Sequence, residues 1–157
     1  MKNSIINDNT NAIKREPLYT FYGYGFPVTL LNVPVRLFQN EWILDVDLNL
    51  LETTVLLELA QKVIRFTGNE IYFIRHSFHM NVNEFAKRFY ITPLKVKNWE
   101  RVKDSFPKMN WTTEKDIRLE IACRHSSALA FVELYEDLET TRSTESDDIM
   151  TIVYKKE

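Results

Sequence analysis

The sequence predicts a mainly α-helical protein, a helical bundle that contains a helix-turn-helix, with a small antiparallel β-element near the N-terminus and a C-terminal strand. Three observations indicate this fold class. Apolar residues recur at helical spacing over much of residues 49–138, and two adjacent short helices are marked by their own capping residues. β-Branched and aromatic residues are concentrated in residues 28–46. A chain of 157 residues, 45% of them hydrophobic, can bury a compact core.

Composition divides the chain into four predicted regions. These are a flexible N-terminal tail (1–16), a small β-element (17–47), a helix-turn-helix DNA-binding domain (48–107), and a C-terminal helical extension with a terminal strand (108–157). Within the β-element we expect two or three antiparallel strands, broken at Asn32-Val33-Pro34 and at Gln39-Asn40. Aromatic residues alternate with Gly23 and Gly25 just before the predicted strands of residues 28–46. This segment has almost no charge, which favours packing over nucleobase stacking.

Two helices are predicted ahead of the helix-turn-helix. Asn49 and Glu52 have the spacing of a capping box, and a broad apolar stripe follows them. Thr67 and Glu70 repeat the spacing for a helix that ends near Phe78.

The helix-turn-helix begins at Asn81, which can cap a short helix whose third residue, Glu84, bonds back to the cap. Thr92 and Pro93 predict the start of a second helix, because proline is favoured at the first helical position. The residues expected on the inner face of this second helix are Val96, Trp99 and Val102.

The outer face of the second helix is basic and amide-bearing. Such a helix can enter the major groove of DNA, where side-chain donors bond to base edges and phosphates. The predicted DNA-contacting residues are Asn83 on the first helix and Thr92, Pro93, Leu94, Lys95, Lys97, Asn98 and Arg101 on the second. We expect the helix from Pro93 to about Val102 to lie in the groove, with Asn98 bonding to a base edge.

Charge is segregated along the chain although the formal net charge is -2. Between Arg75 and Lys108 there are eight basic and three acidic residues, a local charge of +5. Between Glu133 and Asp148 there are one basic and seven acidic residues, a local charge of -6. A local basic surface is what phosphate binding requires.

The run from Asn81 to Glu100 resembles the phage-repressor (Xre) class of helix-turn-helix. Members typically read Ser-Gln-x-Glu-Leu-Ala-x-x-Leu-Gly-Val-Ser-x-x-Thr-Val-Ser-x-Trp-Glu over this span. The matching residues are Glu84, Phe85, Ala86, Phe89, Ile91, Thr92, Val96, Trp99 and Glu100. Residues 30–35 and 66–75 are similar to segments that precede the motif in MqsA-like antitoxins. The likeness covers about residues 22–106, without the N-terminal zinc module of those antitoxins.

This resemblance implies a sequence-specific transcriptional regulator of the antitoxin-type autorepressor kind, with double-stranded DNA and a toxin protein as partners. One short helix-turn-helix makes few base contacts, so we also expect a symmetric homodimer. Its predicted surfaces are residues 28–46 and 149–154, which have strand composition.

Three positions depart from the family pattern. Val82 replaces a glutamine that touches a phosphate, and Tyr90 replaces the glycine of the turn, so we expect a re-shaped turn. The usual stop after the second helix is missing, which predicts a longer helix, toward Phe106. The first two departures favour an alternative function, a protein-interaction module that keeps the frame without specific DNA binding.

Other function classes find little support in the sequence. The three glycines cannot build a phosphate-binding loop, and no catalytic motif appears, so we expect neither an enzyme nor a cofactor. The candidate metal ligands are His76, His79, Cys123 and His125. A single cysteine cannot form the usual thiolate site, so no metal is expected. The lone cysteine and the lack of a long apolar run predict a cytoplasmic protein without membrane contact.

Overall fold

The computed structural model describes residues 12–140 and 151–153, and it shows a mixed α/β fold that is mostly helical. The strands are β1 (Ile13–Phe21), β2 (Val28–Phe38), β3 (Glu41–Leu44) and β4 (Thr151–Val153). The helices are α1 (Leu48–Gln61), α2 (Gly68–Ser77), α3 (Val82–Arg88), α4 (Pro93–Arg101), α5 (Trp111–His125) and α6 (Ala128–Thr140). An N-terminal antiparallel sheet followed by six helices therefore confirms the predicted fold class.

Strand β2 is the centre of the sheet. β1 pairs with it antiparallel along one side, from Ile13 opposite Arg36 to Phe21 opposite Val28. On the other side β3 pairs antiparallel with residues 35–38, and β4 pairs parallel with residues 29–31. The predicted terminal strand is confirmed by β4. Because both sides of β2 are occupied, β3 provides the free strand edge within the predicted dimer segment 28–46.

The predicted tail and the predicted strand break differ from the structure. β1 begins at Ile13, so residues 13–16 are strand and not tail, while residues 1–11 lie outside the described part. β2 runs unbroken through Asn32, whose φ is +53°. At that residue the strand changes which alternate side chains it buries. The sequence signal for a break thus marks a change of face within one strand.

The helix starts are set by local caps. Asp47 caps α1 by accepting bonds from the N–H groups of Asn49 and Leu50, so the cap predicted at Asn49 is wrong by two residues. Asp47 is the capping residue because its backbone is extended, as a cap requires, whereas the backbone of Asn49 is already helical. The capping box of Thr67 and Glu70 is present as predicted.

One hydrophobic cluster joins β2 with all six helices. The C-terminal helices α5 and α6 meet at Ser126 and Ser127. Leu134 and Leu138 of α6 are buried, whereas Val132 and Tyr135 are half exposed. Among the described residues, no helix is long and apolar enough to cross a membrane.

A buried guanidinium connects α5 to the segment between α1 and α2. Arg118 is 1% exposed, and it donates to the carbonyl oxygens of Ala60, Lys62 and Ile64. It also bonds to Glu114, one helical turn earlier, at 2.8 Å. Burial lowers the pKa of Arg118 from its ordinary value, while the Glu114 carboxylate opposes that shift. Arg118 therefore holds the segment after α1 together with Glu114, which also accepts from Arg65 and from the N–H of Phe66.

We expect Arg118→Met to lower the free energy of unfolding by about 3–5 kcal/mol, because it leaves buried carbonyls and Glu114 without their partner. Arg124→Met is the matched control, since Arg124 pairs with Glu120 at the same spacing on the same helix but is one-third exposed. An exposed pair of this kind contributes at most about 1 kcal/mol. Urea denaturation of both variants gives the comparison. Equal losses in the two variants would contradict the role assigned to Arg118.

Candidate nucleic-acid interface

Helices α3 and α4 form the predicted helix-turn-helix, and local caps fix where each helix begins. The Asn81 side chain accepts from the N–H of Glu84, whose carboxylate accepts from the N–H of Asn81. Thr92 caps α4 by accepting from the N–H of Lys95 at 3.3 Å, and Pro93 occupies the first helical position. Both predicted helix starts are therefore confirmed.

The turn between these helices keeps a glycine-type backbone although its residue is tyrosine. Tyr90 has a φ of +55°, in the left-handed region. The N–H of Ile91 bonds to the carbonyl of Ala86 at 2.9 Å, and that of Tyr90 bonds to Lys87 at 3.4 Å. This pair of bonds is the Schellman motif, which closes a helix through one left-handed residue. The expected re-shaping of the turn is wrong, because Tyr90 adopts the strained conformation with its ring 92% exposed.

Helix α4 ends at Arg101, so the predicted extension toward Phe106 is wrong. The N–H groups of Gly68 and Asn69, at the start of α2, bond to the carbonyls of Ser105 and Lys103 at 3.2 and 2.9 Å. Lys103 also has a φ of +52°, a left-handed conformation that an α-helix does not contain, so the helix stops before it. A side chain on Gly68 would lie 2.4 Å from the Trp99 carbonyl oxygen, so glycine permits this contact between backbones.

A buried ion pair also attaches α4 to α2. Arg75 donates to both carboxylate oxygens of Glu100, at 2.6 and 3.1 Å, and to the carbonyl of Met80. Arg75 is 7% exposed. Arg75 is one of the eight basic residues between positions 75 and 108, but its side chain lies in the interior and cannot contact a ligand. Its role is to fix the orientation of α4.

The outer face of α4 brings most of the predicted contact residues together. Val96 and Trp99 are buried as expected, whereas Val102, also expected inside, is 37% exposed. The predicted DNA-contacting residues are all exposed. They are Asn83 on α3 and, at the start of α4 or along it, Thr92, Pro93, Leu94, Lys95, Lys97, Asn98 and Arg101.

The surface around α4 differs from the rest of the described chain in how its cations are paired. Cations elsewhere in residues 12–140 are paired with a carboxylate, or bonded to a carbonyl in the case of Arg15. Within the same residues, the cations without an ion pair or hydrogen-bond partner are Lys87, Lys95, Lys97, Arg101, Lys103 and Lys108. The acids in this stretch are engaged, Glu84 by its cap, Glu100 by Arg75 and Asp104 by Asn69. Uncompensated positive charge is thus concentrated around α4.

Two grooves flank α4, and sequence reasoning missed both. One, of about 560 Å³, is lined by Ile91, Lys95, Asn98, Trp99, Val102, Phe106, Pro107, Lys108, Asn110 and Thr113. The other, of about 610 Å³, is lined by Gly23, Tyr24, Gly25, Asn69, Tyr72, Glu100, Arg101 and Lys103. Their walls come from segments distant in sequence, and the only local signal was the basic charge of Lys103 and Lys108.

Comparison with family models, with curated proteins and with solved structures finds no match to this chain. Within the described residues, no group of three or more His, Cys, Asp or Glu side chains is placed to hold a metal ion. His76 stacks instead on Tyr72, with ring centroids 4.1 Å apart. The function must therefore be argued from the charge and shape of the surface around α4.

We expect Tyr90→Gly to raise the free energy of unfolding by up to about 1 kcal/mol, because glycine adopts the left-handed conformation without steric cost. Tyr90→Ala is the control, since it removes the exposed ring but keeps the backbone strain. Thermal melting should rank the glycine variant above both the alanine variant and the parent. A glycine variant that is no more stable than the alanine variant would contradict the strain at Tyr90.

Proposed function

We propose that this protein is a sequence-specific DNA-binding transcriptional regulator that places α4 in the major groove of double-stranded DNA. The observation that supports this most is the charge pattern: cations without intramolecular partners surround α4, while those elsewhere in residues 12–140 are engaged. Phosphates supply the missing counter-charge, and their neutralisation releases condensed counterions. The proposal does not need the family resemblance, although it agrees with it.

The residues on the outer face differ in chemistry and therefore in role. The Asn98 amide can donate and accept together, which suits adenine, and Leu94, 63% exposed, suits the methyl group of thymine. Lys97 and Arg101 suit guanine or phosphate. Asn83 lies at the start of α3, and Thr92 and Lys95 lie at the start of α4. All three suit phosphate contacts, which set the register on the duplex.

The alternative remains a protein-interaction module with the same frame. The Tyr90 departure, which favoured it, does not alter the backbone of the turn, and α4 keeps its exposed donors. The autorepressor role and the toxin partner follow from the resemblance to MqsA-like antitoxins. Testing them requires the DNA upstream of the protein's own gene as a binding probe.

We expect Asn98→Ala to weaken binding to a selected cognate site by about 1–3 kcal/mol, and to leave binding to scrambled DNA unchanged. Gln61→Ala is the control, because it removes an exposed amide from the end of α1. Fluorescence anisotropy titration on both duplexes measures the difference. Equal weakening on the two duplexes would reduce Asn98 to a phosphate contact, and no binding of the parent protein to any duplex would refute the proposed function.

We further propose a symmetric homodimer that addresses two half-sites about 34 Å apart, since one α4 alone selects too few base pairs. The predicted dimer surfaces are the free edge of β3, within residues 28–46, and strand β4, within residues 149–154. Light scattering gives the mass in solution, and footprinting gives the symmetry of the site. A monomer that protects one asymmetric half-site would exclude the dimer.

A further inference from the structure

We propose that the groove between the β1–β2 turn and the end of α4 binds the sugar-phosphate backbone of the DNA that α4 contacts. This inference rests on the proposed function and adds a second contact to it. The turn, residues 22–27, faces the last turn of α4 across a groove of about 610 Å³. We call it the hairpin groove, and its lining is the set of eight residues from Gly23 to Lys103 given above.

The hairpin groove is continuous with the outer face of α4. Arg101 belongs to both, because it is exposed on α4 and also lines the groove. A DNA strand that borders the major groove occupied by α4 would therefore pass directly from one to the other. Arg101 therefore connects the hairpin groove to the face of α4 that we propose to lie on DNA.

The charge of the hairpin groove suits a polyanion. Arg101 and Lys103 have no ion pair within the described chain. The one acid in the lining, Glu100, is bonded through both of its oxygens to Arg75. Asn69 is held by Asp104 at 2.8 Å, which engages the other nearby carboxylate. Two cations without an ion pair thus face a groove in which Arg75 neutralises Glu100, and the remaining charge of Asp104 offsets only one of them.

The walls of the groove are fixed before any ligand arrives. Gly25 has a φ of +89°, and a side chain on Gly23 would lie 2.2 Å from the Phe21 ring, so the shape of the turn depends on both glycines. Tyr24 packs on Phe73 with centroids 4.6 Å apart, and its hydroxyl donates to the Leu48 carbonyl. Burial raises the pKa of Tyr24 to about 12, so the ring stays neutral beside a phosphate. Pre-formed walls reduce the entropic cost of binding.

The aromatic lining favours a nucleic-acid strand over an isolated anion. Tyr24 and Tyr72 line the groove, and Tyr72 is 48% exposed. Sugar-phosphate backbones present alternating anionic and apolar groups, which match cations interspersed with rings. The glycines of the turn let the strand approach its backbone. The predicted packing role of this aromatic segment and a binding role are therefore combined in one turn.

The test compares Lys103→Gly with Lys14→Ala. Lys103 has a φ of +52°, so glycine removes its charge and retains the local backbone. Lys14 is an exposed lysine of β1 that pairs with Glu16 and lies outside both grooves, and its removal changes the net charge equally. We measure binding of each full-length variant to a cognate duplex between about 50 and 200 mM salt. Hydroxyl-radical footprinting then maps the protected sugars.

We expect Lys103→Gly to bind about threefold to tenfold more weakly, to reduce the slope of log K against log salt by about 0.9, and to lose protection at one flank. Base preference should be unchanged, and Lys14→Ala should retain the parent footprint. If both variants lose the same affinity and neither changes the footprint, the hairpin-groove contact is wrong while the proposed function stands. If the parent protein binds no duplex, both proposals fall.

Discussion

The buried guanidinium of Arg118 determines how the first half of the chain is attached to the second. Three carbonyls at the end of α1 and after it converge on this side chain, and Glu114 supplies the neutralising charge. Glu114 also accepts from the N–H of Phe66 and from Arg65, so one carboxylate serves the same segment twice. Taking these groups out of water is costly, and the bonds from both terminal nitrogens of Arg118 offset that cost, although its Nε has no hydrogen-bond partner. The path of the chain into α2 is consequently set by α5.

That path matters because α2 is the helix that orients α4. Lys62 bonds to Glu70 at 2.5 Å, and Glu70 closes the capping box of Thr67, so the start of α2 is tied to the Arg118 region. Two sets of groups on α2 then fix the C-terminal end of α4. They are the Arg75 guanidinium and the N–H groups of Gly68 and Asn69. The outer face of α4 is thus presented by a rigid support, which a surface that reads DNA requires.

Local chemistry explains which parts of this arrangement could be predicted from sequence. The boxes at Thr67 and Asn81 and the cap at Thr92 join residues three apart, so they could be predicted from spacing. The same spacing at Asn49 and Glu52 was misleading, because Asp47 caps α1. The end of α4 depends on carbonyls that bond to α2, more than thirty residues earlier. The grooves and Arg118 likewise depend on distant segments. No periodicity could reveal them, because burial of a charged residue is not visible without its partners.

The same distinction between paired and unpaired charge separates scaffold from candidate site. Counting residues between Arg75 and Lys108 gave a basic stretch, yet Arg75 and Arg88 prove to be partners of Glu100 and Glu120. The charges of Arg75 and Arg88 are therefore engaged in ion pairs within the fold. The exposed lysines around α4 gain nothing from intramolecular bonds and repel one another at short range, which is a cost to the isolated protein. A polyanionic partner removes that cost, and this is the physical reason to regard the surface around α4 as a binding site.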